Sequence, residues 1–144
     1  MGKKRIIQKV DLTTEDGRAA AVKSAAPKRK LTEGVIHILS TYNNTIISVS
    51  DTSGDVILSA SAGSLGFSGA KKGTPYAATK VAEFLGEKAK VAGIKTLNAL
   101  VNGVGAGRDA ALRSFVAQGF DVYSIRDITP IPHNGPRPSK SRRV

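Results

Sequence analysis

Three runs of β-branched and large apolar residues follow one another between Gly34 and Ser61, and their punctuation leaves little choice of fold. They are Gly34-Val-Ile-His-Ile-Leu-Ser-Thr-Tyr42, Thr45-Ile-Ile-Ser-Val-Ser-Asp51 and Val56-Ile-Leu-Ser-Ala-Ser61. Each has the length and composition of a strand. Asn43-Asn44 separates the first two, and Thr52-Ser53-Gly54-Asp55 separates the next. An Asn pair between apolar runs predicts a β-hairpin, because Asn tolerates the positive φ of a tight turn. The segment therefore predicts an antiparallel meander.

After Ser61 the pattern changes. Ala62 to Gly73 is punctuated by Gly63, Gly66, Gly69 and Gly73, with Lys71-Lys72 near its end. Thr74-Pro75 then reads as a helix start, with Thr as N-cap and Pro at the first helical position. Ala78, Val81, Ala82, Leu85, Ala89 and Ala92 recur at three- and four-residue spacing and mark a buried face. That face is largely Ala, so the helix can lie close to a sheet. Gly93 is its expected C-cap. Ile94–Val101 predicts a fourth strand, Arg108–Gln118 a second helix with Ala111, Leu112, Phe115 and Val116 inward, and Phe120–Arg126 a fifth strand. The order βββαβαβ predicts an α/β body in which a meander is extended by right-handed crossovers into a mixed five-stranded sheet covered by helices.

The two ends read differently. Thr129-Pro-Ile-Pro-His-Asn-Gly-Pro-Arg-Pro-Ser-Lys-Ser-Arg-Arg-Val144 cannot be a helix, since each proline lacks an amide donor and restricts its predecessor. After Ile131 it has no large apolar residue before Val144, so it cannot be core either. It predicts a stiff arm bearing Arg137, Lys140, Arg142 and Arg143. Residues 1–30 mix Lys, Arg, Ala, Thr and Ser and close on Lys28-Arg29-Lys30. They predict an extension that orders on a partner, with Ile6, Ile7, Val10 and Leu12 as a docking segment. The chain carries a net charge of +11, with +6 in residues 1–30, +2 in 31–126 and +3 in 127–144. A nearly balanced body with cationic ends is the distribution of a nucleic-acid binder. The expected division is a basic extension (1–30), a body (31–128) and an arm (129–144).

Other classes recede. Without cysteine there is no disulfide, thiolate nucleophile or Cys-based metal site. No apolar run reaches the length of a membrane span, and no apolar stretch follows Lys3-Lys4-Arg5 to make a signal peptide. Asn43-Asn44-Thr45 matches a glycosylation sequon, which means nothing without secretion; a cytosolic protein is expected. His37 lies in strand alternation and reads as structural. Two distant histidines make a weak metal case. A metal nuclease would need converging acids, and the spacing of Asp51, Asp55 and Asp109 does not bring them together. No Ser/His/Asp array is visible, so no enzymatic activity and no cofactor are expected.

Two glycine-rich segments are candidates for RNA contact. Gly103-Val-Gly-Ala-Gly107-Arg108 joins a strand to a helix, where free amides and close backbone approach can hold an anion. It lacks the third glycine of a dinucleotide fingerprint and the Lys-Ser/Thr of a Walker loop. Two readings stand side by side: an RNA phosphate site supported by Arg108 and Arg113, or a tight turn that needs only small residues. In the loop from Gly63 to Thr74, Gly66 and Gly69 allow close backbone approach, and Lys71 and Lys72 supply charge. Phe67 could stack on a base, but an anchoring role suits a lone Phe better. In the arm, His133 could donate to phosphate.

Read together, these residues resemble the universal small-subunit ribosomal protein eleven family. The matching stretches are Gly34-Val-Ile-His, Thr41-Tyr-Asn-Asn-Thr-Ile, Asp51-Thr-Ser-Gly, Gly66-Phe-Ser-Gly, Thr74-Pro-Tyr-Ala-Ala, Gly105-Ala-Gly-Arg, and Asp127-Ile-Thr-Pro-Ile-Pro-His-Asn-Gly-Pro-Arg-Pro ending in Arg142-Arg-Val. They run in order from about residue 33 to the end. The chain departs from the family at Pro136, where Cys is frequent, and at Val104 and Ala106, where prolines are common; both change local stiffness rather than charge. The resemblance implies a ribonuclease-H-like fold without nuclease activity. It also implies a cytoplasmic, ribosome-bound protein on the platform of the small subunit, bound to rRNA near the path of mRNA at the exit site, with platform proteins as neighbours and no membrane. The residues expected to meet RNA phosphate are Lys28, Arg29, Lys30, Lys71, Lys72, Arg108, Arg137, Lys140, Arg142 and Arg143. Close backbone or polar contacts are expected from Asn43, Asn44, Gly66, Gly69, Gly103, Gly105, Gly107, His133, Asn134 and Gly135.

Overall fold

The structure, a computed structural model, describes residues 31–137 and 139. The expectations for the extension, with Lys28, Arg29 and Lys30, and for Lys140, Arg142 and Arg143 lie outside the described residues. The three strand-type runs form β1 (Glu33–Ser40), β2 (Thr45–Ser50) and β3 (Val56–Ser61). They pair antiparallel in chain order, with Ile38 opposite Ile47 and Val49 opposite Leu58.

The β1–β2 turn is not the two-residue Asn turn that the sequence suggests. It runs over Thr41–Asn44, closed by the Thr41 amide donating to the Asn44 carbonyl at 2.9 Å. The Thr41 hydroxyl donates to that same carbonyl and accepts from the Asn44 amide. Among the described residues only Asn134 has positive φ without being glycine. Thr41 thus does the closing through both its amide and its hydroxyl, and neither Asn43 nor Asn44 is needed for left-handed backbone.

The glycine-rich stretch after β3 is also not loop throughout, because Gly69–Gly73 winds into a short 3₁₀ helix. Thr74 then caps α1 (Pro75–Ala92), accepting from the Ala77 amide, and Gly93 ends it at φ 93° with its amide on the Ala89 and Lys90 carbonyls. All six positions of the predicted inner face are buried, joined by Ala77 and Gly86. Small residues bring this helix down onto β2 and β3.

β4 (Thr96–Asn102) enters beside β1, and β5 (Asp121–Asp127) lies outside β4, giving the sheet order β3-β2-β1-β4-β5. Both new pairings are parallel, with Ile36 opposite Ala99 and Leu97 opposite Val122. The sheet is therefore mixed, as expected. The two crossovers run in one direction across it, so right-handed connections put both helices on the same face. Burial agrees: Ile36, Ile38, Ile47, Val49, Leu97 and Val101 are buried, while the alternate residues Val35, His37, Leu39 and Ile46 are not.

The second helix, α2 (Gly107–Ala117), buries Ala111 and Phe115 as expected and half-buries Leu112. Val116 points out, 53% exposed. The inward stripe is rotated because α2 packs on α1 as well as on the sheet. The Ser114 hydroxyl donates to the Thr79 carbonyl at 3.5 Å, and the Gln118 side-chain Nε2 donates to the Ala82 carbonyl at 3.1 Å. Phe115 is fully buried and meets Phe120 edge-to-face at 5.9 Å, a side-chain burial worth about 1.5–3 kcal/mol.

Candidate nucleic-acid interface

Because β1, β4 and β5 are parallel, their carboxyl ends, Ser40, Asn102 and Asp127, lie at one end of the sheet. In open α/β sheets this is the end where ligands are held. Here it gathers segments that are far apart in the chain, and the Thr41–Asn44 turn is the point on which they meet. The end of the glycine-rich loop comes down on it, since a Cβ at Gly73 would collide with the Tyr42 carbonyl. From the other side the β4–α2 turn comes down too. A Cβ at Gly103 would strike the Ser40 carbonyl, one at Gly105 the Thr41 carbonyl, and one at Gly107 the Thr45 hydroxyl.

These contacts bear on the two readings of Gly103-Val-Gly-Ala-Gly107. The close approach is to the protein's own β1–β2 segment. Three of the turn's amides are also committed: Gly103 donates to Thr129 Oγ1 at 3.1 Å, Gly105 to the Ser40 carbonyl at 2.9 Å, and Arg108 to the Gly105 carbonyl at 3.3 Å. The glycines hold the site together from within. Ser40 Oγ and Thr45 Oγ1, buried beneath them, have no hydrogen-bond partner among the described residues.

Arg108 has structural partners as well. Its guanidinium donates to the Gly103 carbonyl at 3.1 Å and pairs with Asp127 at 2.7 Å. Asp127 also accepts from the Thr129 hydroxyl at 2.6 Å and the Thr129 amide at 2.9 Å. The Thr129 hydroxyl first, then the Thr129 amide and Arg108, hold the Asp127 carboxyl down to about 2. With the Ile128 amide on the Val101 carbonyl at 2.9 Å, this clamp fixes where the arm leaves the sheet. The clamp escaped the sequence reading because Arg108 and Gly103 lie 19 and 26 residues from Asp127 and Thr129.

From Pro130 to Arg137 the backbone is irregular and the side chains are exposed. The arm bends at His133-Asn134. Asn134 sits at φ 56°, and a Cβ at Gly135 would crowd Pro132. His133 and Arg137 are exposed. In the loop, Gly66 at φ 91° and Gly69 at φ 56° have open space where a Cβ would stand, so glycine serves conformation there. Lys71 is exposed, and Lys72 lies half-buried against Gly63. Phe67 packs on the core and on Tyr76, an anchor as expected. Asn43 is exposed beside Tyr42, which is 79% exposed. Tyr42 was missed by sequence reading; a tyrosine next to an Asn pair in a turn is the signal that could have found it.

The residues weighed for other chemistry lie apart. His37 shares a 3.0 Å hydrogen bond with Ser50 and is structural. Asp51 accepts from the Thr52 amide and the Thr52 and Ser53 hydroxyls in the turn after β2, at the opposite end of the sheet. Among the described residues no three His, Asp or Glu side chains stand together as a metal site would need. No helix among them is long and apolar enough to cross a membrane.

Comparison with known proteins places this architecture. The family model described as Ribosomal protein S11 matches residues 34–143. A Gloeobacter violaceus protein is 55% identical over 117 residues, covering 81% of this chain and 90% of the relative. A Rhizorhabdus wittichii protein is 51% identical over 117 residues, with 81% and 91% covered. One from Acidiphilium cryptum is 50% identical over 129 residues, with 87% and 99% covered. All three bear the name small ribosomal subunit protein uS11. The chain belongs to the ribosomal protein S11 family, a family of structural proteins and not of enzymes.

Proposed function

We propose that the protein is a structural constituent of the small ribosomal subunit that binds small-subunit rRNA in the platform, near the mRNA path at the exit site. Neighbouring platform proteins are its partners, and the cytoplasmic ribosome is its location. The names of its relatives support the subunit. The observation that carries the RNA reading is the convergence at one end of the sheet. Lys71, Lys72, Asn43, Tyr42 and the clamped root of the basic arm share that end, while the body as a whole is nearly neutral. In this reading residues 31–128 are a platform that aims two basic extensions, 1–30 and 129–144. Lys28, Arg29, Lys30, Lys140, Arg142 and Arg143 add phosphate contacts from those extensions. Arg108 acts mainly by holding the arm's root.

The test is truncation. Removing residues 131–144 leaves Thr129 and its clamp intact and removes Arg137, Lys140, Arg142 and Arg143. Affinity for small-subunit rRNA should fall, and the log–log slope against salt should flatten by up to about 3.6, at about 0.9 per duplex phosphate contact. An unchanged slope rules the arm out as a phosphate binder. The intact protein should co-sediment with small subunits through a high-salt wash, and its loss in the wash would argue against a structural constituent.

A further inference from the structure

A second surface runs along the outer side of α1. Tyr76, Lys80, Glu83, Phe84 and Glu87 line a groove of about 380 Å³ with Leu65 and Phe67 of the preceding loop. Helical spacing places the α1 residues on one stripe. The loop that forms the opposite wall is held by its own hydrogen bonds. The Phe67 amide donates to the Ala62 carbonyl, the Gly66 amide to the Gly63 carbonyl, and Ser61 and Ser64 bond reciprocally. Phe67 and Tyr76 meet edge-to-face at 6.1 Å. The groove is therefore formed in advance, with aromatic walls.

Its charge sets it apart from the rest of a strongly basic chain. The lining has two carboxylates and one ammonium. That ammonium, Lys80, is paired with Glu83 at 2.7 Å and lies 5.8 Å from the Tyr76 ring centroid. Glu87 has no ion-pair partner among the described residues. Carboxylates on the rim repel phosphate, and Lys80 covers a face of Tyr76 on which a base would stack. Lys88 lies 4.3 Å from the Phe84 centroid, so one face of that ring already carries a cation.

We propose that this groove is a docking site for a protein segment that presents an arginine or lysine beside a large apolar side chain. The apolar group and the aliphatic stem would cover Leu65, Phe67 and Phe84, and the cationic head would meet Glu87. An arginine suits it best, because a planar guanidinium can stack on an aromatic ring while bonding a carboxylate. The inference does not depend on the RNA reading: it concerns the α1 wall of the groove and a ligand of opposite charge.

The experiment uses the full chain labelled with 15N. It is titrated separately with acetyl-Leu-Arg-Leu-amide, with acetyl-Leu-Glu-Leu-amide, and with a ten-nucleotide single-stranded RNA. The arginine peptide should shift the amides of Glu83, Phe84 and Glu87 on α1 saturably, and Glu87→Gln should weaken it about fivefold, the scale of a surface ion pair. The glutamate peptide should bind more weakly, and the RNA should leave these amides unmoved. The proposal is overturned if the arginine peptide gives no saturable shift at millimolar concentration. It is also overturned if both peptides bind equally, or if the RNA moves the groove signals. Failure of the RNA reading would show separately, as RNA that shifts neither the arm nor the Lys71-Lys72 loop.

Discussion

Asp127 ties three parts of the chain together through one carboxylate, and its titration reports on the arrangement. Thr129 and Arg108 lower its pKa to about 2, against about 3.9 for a free Asp. A folded pKa below the unfolded one means that the stabilisation is fully present above about pH 4 and is lost as pH falls toward 2. The Asp127 carboxyl carbon should accordingly titrate near 2 by NMR. Thr129→Val should raise that midpoint more than Arg108→Ala does, because the hydroxyl is the largest cause. A wild-type midpoint near 3.9 would show that the clamp does not form in solution. The glycines at this end separate two effects that sequence cannot distinguish. Gly66 needs only its positive φ, so Gly66→Ala should cost about 1 kcal/mol, the left-handed penalty for an L-residue. Gly103 has the same kind of φ, 94°, and also lies against the Ser40 carbonyl. Gly103→Ala should therefore cost about 2–4 kcal/mol, since backbone cannot yield as a side chain can. Urea unfolding at unchanged m-value would measure both; equal costs would mean that the Ser40 contact is not tight.

Between elements, the closest helix contact is at Gly86. Alanine inside a helix is favoured over glycine by about 1 kcal/mol, but a Cβ there would land on the Gln118 carboxamide. That carboxamide bonds the Ala82 and Ser114 carbonyls, and displacing it forfeits about 1 kcal/mol per bond. Gly86→Ala should thus destabilise by about 1 kcal/mol in the native chain and stabilise by about as much in a Gln118→Ala background. The same sign in both backgrounds would refute the coupling. Most of the elements were legible because their signals are local. The β-branched runs gave β1, β2 and β3, and Thr74-Pro75, the Ala stripe and Gly93 gave α1 from cap to cap. Misreadings arose where the deciding partner is remote. Val116 points outward because α2 must face α1 as well as the sheet. The β1–β2 turn is the exception, since its closing partner, Thr41, is only three residues from Asn44 but stands outside the Asn-pair rule. For the Gly103–Gly107 turn the spacing supports two readings, and no spacing rule reveals its packing on β1. For the candidate site, the sequence identified the segments but not that they meet, and it missed the clamp through Asp127.

At the scale of the molecule, charge and packing are kept apart. The excess of cations lies outside the body, and the described part of the arm buries almost nothing, with Ile131 80% exposed. The arm truncation should therefore leave the unfolding midpoint of the body nearly unchanged while it alters the salt slope. A loss of stability would mean that the arm packs on the sheet after all. The order of the sheet has a further consequence, for the path by which the chain folds. β1 is central, yet its two neighbours arrive on very different schedules. β2 follows it across four residues, whereas Glu33 meets Thr96 only after some sixty have intervened. Local hairpins close within microseconds, and distant parallel pairs wait on a larger loop entropy. Until β4 docks, the meander presents an open β1 edge and an uncovered row of Ile36, Ile38, Ile47 and Val49. That interval, rather than the finished fold, is when crowded chains of this protein are most open to pairing with one another.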